Sequence, residues 1–216
     1  MVIAISRAHG GKTPDTDVGS VSDADGDGHI AYDEREEFLA GVFSQGLESQ
    51  LRVLGHEVFV YGAGDYGARA KEMRKLPTPP HVILYPHLDV RAKPNPLFFY
   101  DEVSTYGSAL ASLVSRYVGG AFPELGTPRF GPATKTSSPG GQNICLLHRA
   151  DRGVVLVMET FTTAMAASWA DQGKLDQLTR AGAAAAEGVH RWGQQRRLVP
   201  ESQRGGEAAS TSSAPV

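Results

Sequence analysis

Apolar residues fall in short unbroken runs along this chain, each closed by turn-forming residues. "VIAIS" (2–6), "EVFVYG" (57–62), "HVILYP" (81–86), "PLFFYD" (96–101), "NICLLH" (143–148) and "GVVLVME" (153–159) are rich in Val, Ile, Leu, Phe and Tyr. Runs of this kind predict strands buried on both faces. Between several of them the apolar period lengthens to that of an amphipathic helix. Residues 34–54 place Leu39, Phe43, Leu47, Leu51 and Leu54 on one stripe, and 103–118 do the same with Leu110, Leu113, Val114 and Tyr117. Residues 173–194 predict a last helix, opening on Leu175 and Leu178 and running into "AGAAAAEGVHRW". Strands alternating with helices predict an α/β fold, a mostly parallel sheet of roughly six strands flanked by helices. The stretch 126–142, "GTPRFGPATKTSSPGGQ", reads as a long surface loop of the kind that borders a site. From 197 the composition collapses to "RLVPESQRGGEAASTSSAPV", which reads as a disordered tail behind one domain spanning 1–196.

Composition narrows the function. A chain of 216 residues suits one α/β domain with a sizeable core. Its net charge of −3, with no basic stripe, argues against a nucleic-acid binder. No apolar run approaches the ~18–20 residues that span a bilayer, so no membrane partner is expected. The single cysteine, Cys145, excludes a disulfide framework and any multi-cysteine zinc site, and its "NICLLH" setting reads as a buried strand thiol. The opening "MVIAIS" lacks a basic n-region and reads as a strand, not a signal peptide. Synthesis in the cytoplasm and a monomeric state are the expectations.

"DADGDGHIAYDE" (23–34) has the register of a calcium-binding loop. Asp23, Asp25 and Asp27 supply side-chain oxygens, His29 its backbone carbonyl, and Glu34 a bidentate carboxylate at the twelfth place. Gly28 makes the sharp turn, Ile30 is expected to tuck inward, and water fills the place that Ala31 cannot. The loop ends where the first predicted helix begins, so calcium (Ca2+) is expected to fix that helix start.

Three polar residues stand at strand ends: His9 after "VIAIS", His87 after "VILYP" and Glu159 after "VVLVM". In open α/β sheets ligands gather beyond the carboxyl ends of the strands, where these three can converge. Imidazoles with a carboxylate suit catalytic zinc (Zn2+), which takes three protein ligands and keeps an open position. Hydrolysis also needs an acid to move the water's proton, so a second carboxylate is required. Glu36 shares the inward stripe with Leu39 and Phe43, whereas Glu37 shares one with Gly41, Ser44 and Gln45 that looks solvated. Glu36 therefore leads, with Glu34 as its rival. His29, His56, His81 and His190 read as ordinary surface or hydrogen-bonded histidines, and His148 is intermediate.

"VIAISRAHGGK" resembles the opening strand and turn of zinc-dependent N-acetylmuramoyl-L-alanine amidases of the amidase_3 type, found in bacterial autolysins and phage endolysins. "VILYPHLDV" is similar to that family's second histidine segment, and "GVVLVMETFTTAMAASWADQGKLDQL" to its late glutamate segment. The resemblance spans roughly residues 1–195 and keeps the order His, Glu, His, Glu. It implies a hydrolase-like α/β amidase fold, zinc ligands at His9, Glu36 and His87, and Glu159 as catalytic acid/base. It also implies peptidoglycan as substrate, cut at the amide joining the lactyl group of N-acetylmuramic acid to L-alanine. The chain departs from the family pattern at "LDV" after His87, at Ala40 and at Thr160, and its acidic loop is longer.

Two other readings compete. A zinc carboxypeptidase-like amidohydrolase would carry a glutamate three residues after the first histidine, where this chain has Lys12. A catalytically dead calcium-binding module adhering to the wall would bind sacculi without releasing amines. Without a signal peptide, the expected setting is a phage lysin or a delivered effector acting on the cell wall.

Overall fold

Strand β1 (Val2–Ser6) runs between β2 (Glu57–Tyr61) and β3 (Val82–Asp89), paired in parallel with both. Beyond β3 the sheet continues through β6 (Val154–Thr162), β4 (Leu97–Asp101) and β5 (Arg129–Ala133), in the order β2-β1-β3-β6-β4-β5. Every pairing is parallel except β4 against β6. The chain is thus an α/β protein with a six-stranded, mostly parallel sheet. Among the described residues there are five α-helices: α1 (Glu36–Val53), α2 (Tyr66–Met73), α3 (Gly107–Ala121), α4 (Thr163–Asp171) and α5 (Asp176–Gln195). This computed structural model describes residues 1–9, 19, 21–62, 66–89, 95–133 and 153–199. The expected strand 143–148 with Cys145 and His148, Lys12, and the tail from 200 onward lie outside the described residues.

The unbroken apolar runs are explained by burial on two faces. Val82, Leu84, Ile3, Ile5 and Leu156 pack under α1, α3 and α5, against Leu39, Phe43, Leu110, Val114 and Leu178. Ala4, Ile83, Tyr85, Val155 and Val157 face the other way, towards Met73 of α2. The alanine-rich last helix is a packing seam. A Cβ added to Gly182 would stand 2.2 Å from the Phe43 carbonyl oxygen, and one on Gly46 would stand 2.2 Å from that of Thr179. Helices α1 and α5 therefore cross backbone to backbone, which only the smallest residues permit.

Several expectations need correction. Residues 129–133, within the expected surface loop, form edge strand β5; Pro132 is tolerated there because an edge strand needs fewer ladder donors. Strands β3 and β6 run on past His87 and Glu159, because they pair with each other through both residues. Leu113 and Tyr117 flank the buried stripe of α3, which Val118 continues instead. The first tail residues fold back, with Val199 buried beside Gly193.

At the amino ends of the strands His56 and His190 form a buried pair, His56 Nε2 lying 3.0 Å from His190 Nδ1. The Met1 amino group lies 3.3 Å from His56 Nδ1. Burial, then the neighbouring positive charges, pushes the His56 pKa down to about 4 from 6.5. The folded form resists a proton that the unfolded chain accepts, so stability is full above pH 6.5 and falls as pH drops towards 4. The cost is at most about 3 kcal/mol at the acid end. Denaturant titrations at pH 7 and 4.5 should show that loss, and His56→Phe should flatten it; equal pH dependence in the variant would exclude His56 as the cause.

Candidate metal centre

The chain leaves β1 for α1 on one face of the sheet and enters β3 from α2 on the other. That reversal opens a crevice at the carboxyl ends of the two adjacent strands, where α/β sheets hold ligands. His9 lies just past β1 with φ of 53°, a left-handed conformation uncommon outside glycine. His87 lies near the carboxyl end of β3, two residues before Asp89 closes the strand. Glu36 is the first residue of α1, preceded by the extended Arg35, and its inward stripe carries it over the same crevice.

The three side chains meet there. His9 Nε2 lies 3.3 Å from Glu36 Oε2, and His87 Nδ1 lies 3.2 Å from Glu36 Oε1. The imidazole rings stand edge to face, 5.4 Å between centroids. One ligand atom from each residue falls within 4.8 Å of both others. The Leu88 amide also donates to Glu36 Oε1 at 3.0 Å. Glu36 is only 4% exposed. Burial alone would raise its pKa, but hydrogen bonds from His87 and His9 and their charges outweigh it and hold the carboxyl far below the usual range.

Gly19 closes the cluster from outside. Its φ is +72°, and a Cβ there would stand 2.5 Å from His9 Cδ2 and 2.8 Å from Glu36 Oε2. Glu159 is the in-register partner of His87 across β3 and β6, so both side chains leave the same face of the sheet. It is half-buried and does not share the mutual 4.8 Å closeness of the other three. A group so placed can work on a molecule held at the cluster. Beside His9, a cavity of about 300 Å³ opens along α1, lined by Arg7, Tyr32, Glu37, Phe38, Gly41 and Gln45. The Glu37 stripe, expected to be solvated, thus borders this cavity.

Helix α2 contributes two residues that the sequence did not single out. The Tyr66 hydroxyl lies 3.5 Å from His87 Nε2, on the ring edge away from Glu36. Arg69 is 2% exposed and donates to backbone carbonyls around His9. "YGARAKEM" offers one faint signal, a single arginine on the inward side with Ala70 and Met73.

The acidic loop is a separate feature. Carboxylate oxygens of Asp23, Asp25 and Asp27 lie within 4.8 Å of one another, all three exposed. Asp23 accepts from Gly26 and Gly28 amides at 2.8 and 3.1 Å, and Asp27 accepts from His29 at 2.7 Å. Glu34 stands apart from them, buried, accepting from the Ala24 and Ala31 amides at 2.5 and 2.7 Å. Ile30 is 37% exposed, so it does not tuck inward as the loop register predicts. Glu34 also lies outside the histidine cluster, so of the two rival acids it is Glu36 that meets His9 and His87.

No protein-family model matches the sequence, and a comparison with curated proteins finds no match. Solved structures do match in fold. Cwp6 from Clostridium difficile superposes with a TM-score of 0.65 at 15% identity, over 88% of this chain and 29% of that longer one. The N-acetylmuramoyl-L-alanine amidase AmiC2 of Nostoc punctiforme gives 0.64 at 15% identity, over 90% of this chain and 97% of its own. The catalytic domain of the CD27L endolysin targeting Clostridia difficile gives 0.63 at 14%, over 88% and 97%. At such identities the likeness establishes a shared fold.

Proposed function

We propose that this chain is a peptidoglycan hydrolase, a zinc-dependent N-acetylmuramoyl-L-alanine amidase. The observation that carries this reading is the meeting of His9, Glu36 and His87 within 4.8 Å at the crevice of a fold shared with AmiC2. Two imidazole nitrogens and one carboxylate oxygen are a fitting donor set for catalytic zinc. Zinc bound there supplies Lewis acidity, lowering the pKa of a coordinated water to about 7 and polarising a carbonyl. His9, Glu36 and His87 are the residues that would hold it. Glu159, facing the same space from β6, takes the proton of the attacking water and returns it to the departing L-alanine amine. The bond broken is the amide between the lactyl group of N-acetylmuramic acid and L-alanine.

Digestion of purified sacculi is the test. New L-alanine amino termini, released in step with zinc loading, are expected. Wall binding with no new amine would favour the adhesion module, and release of a terminal amino acid would favour the carboxypeptidase. Action on the cell wall after cytoplasmic synthesis, as a phage lysin or a delivered effector, fits this chemistry.

Loop 23–34 belongs to the same reading as a calcium site. Its support is the register of acids at the first, third, fifth and twelfth places and the convergence of three of them. Glu34 would have to release its two amides to join the ion. Two residues further on is Glu36, so ion binding stiffens the start of α1. Chelating calcium while zinc is held constant is expected to lower turnover; an unchanged rate would sever loop from site.

A further inference from the structure

We propose that helix α2 positions both histidines of the metal centre, Arg69 through the backbone of His9 and Tyr66 through the ring of His87. The inference rests on the zinc reading above and assigns the residues that hold its ligands in place.

Arg69 donates from Nη2 to the carbonyls of His9 at 3.0 Å and Gly62 at 3.1 Å. From Nη1 it reaches the Arg7 carbonyl and, at 3.3 Å, Ser6 Oγ. One planar guanidinium thus ties the end of β1, the peptide of His9 and the end of β2 into a single unit. Its rigid fork suits several fixed acceptors at once, which a flexible ammonium cannot match. His9 needs such restraint, because its left-handed backbone persists only where the surroundings over-determine it. The Arg69 bond to the His9 carbonyl acts on that peptide directly.

Tyr66 sits three residues before Arg69, so both share one side of α2. The Arg69 guanidinium lies 5.3 Å from the Tyr66 ring centroid, and the Tyr66 hydroxyl faces His87 Nε2. Were a metal held through Nδ1 of His87, the ring hydrogen would sit on Nε2, 3.5 Å from the tyrosine oxygen that would accept it. Partners of this kind fix tautomer and ring orientation, and losing one costs about 10–100-fold in metal affinity. The short helix therefore grips one ligand by its backbone and the other by its far nitrogen.

The test measures zinc affinity of the full chain by competition with a chromophoric chelator, together with the absorption spectrum of the cobalt-loaded protein. Tyr66→Phe and Arg69→Met are expected to weaken zinc about 10–100-fold and to alter the cobalt bands, with Arg69→Lys recovering part of the loss. Met73→Ala, on the same helix but buried in the apolar layer, is expected to lower the melting temperature of the metal-free protein and leave zinc affinity unchanged. If Arg69→Met fails to fold, Tyr66→Phe and Arg69→Lys carry the test. Wild-type zinc affinity in both of those overturns the proposal, whatever their stability. A wild-type chain that takes up no zinc overturns the metal reading and this inference together.

Discussion

Glu159→Gln is expected to leave fold and bound zinc intact while turnover on purified wall falls by about 10²–10⁴-fold, the usual worth of a positioned acid/base. Glutamine keeps the shape of the side chain but cannot carry a proton between water and amine at neutral pH. The separation of effects follows from geometry. Glu159 emerges beside His87 on the adjoining strand, yet stays outside the close triangle that His9, Glu36 and His87 make. The loss should fall on kcat more than KM, because the carboxylate is asked to act in the transition state. Zinc lost along with turnover would make Glu159 a ligand instead. Turnover retained would direct attention to Glu37, the other carboxylate bordering the cavity beside His9.

The parts legible in the sequence are those where one periodicity decides the outcome. Strands β1, β3 and β6 are buried on both faces, so they had to be continuous apolar runs. The ends of those runs pointed to His9, His87 and Glu159, although β3 and β6 themselves continue further. The stripe of α1 separated Glu36 from Glu37 because a helix turns neighbours to different sides. It left Glu34 as a rival, because only the folded chain shows that Arg35 is extended and that Glu34 belongs to the preceding turn. Edge strand β5 was hidden because its residues are mostly exposed and include Gly131 and Pro132. Helix α2 was hidden for a different reason. Its inward face is built partly from Arg69, whose partners are backbone oxygens brought near only by folding. Spacing along the acidic loop specified which residues could converge, but not that Glu34 would turn to the Ala24 and Ala31 amides.

Glu36→Gln is expected to cost zinc affinity well beyond the roughly 10–100-fold of a supporting partner, and to abolish turnover. Glu36 is a buried anion, a costly arrangement unless cations or strong donors surround it. Here the Leu88 amide and both imidazoles do so. Glutamine can still accept from Leu88 and fills the same space, so the metal-free fold should persist. What it removes is the negative charge that a dication held by His9 and His87 would face. Thermal shift is therefore the decisive readout. Zinc in hundredfold excess over its dissociation constant stabilises a binding protein by about 2.7 kcal/mol, and the wild-type midpoint should rise accordingly. The variant's midpoint should not move over the same zinc range. A variant that still rises with zinc would remove Glu36 from the ligand set, leaving its contacts with His9 and His87 as a hydrogen-bonded acid between two bases.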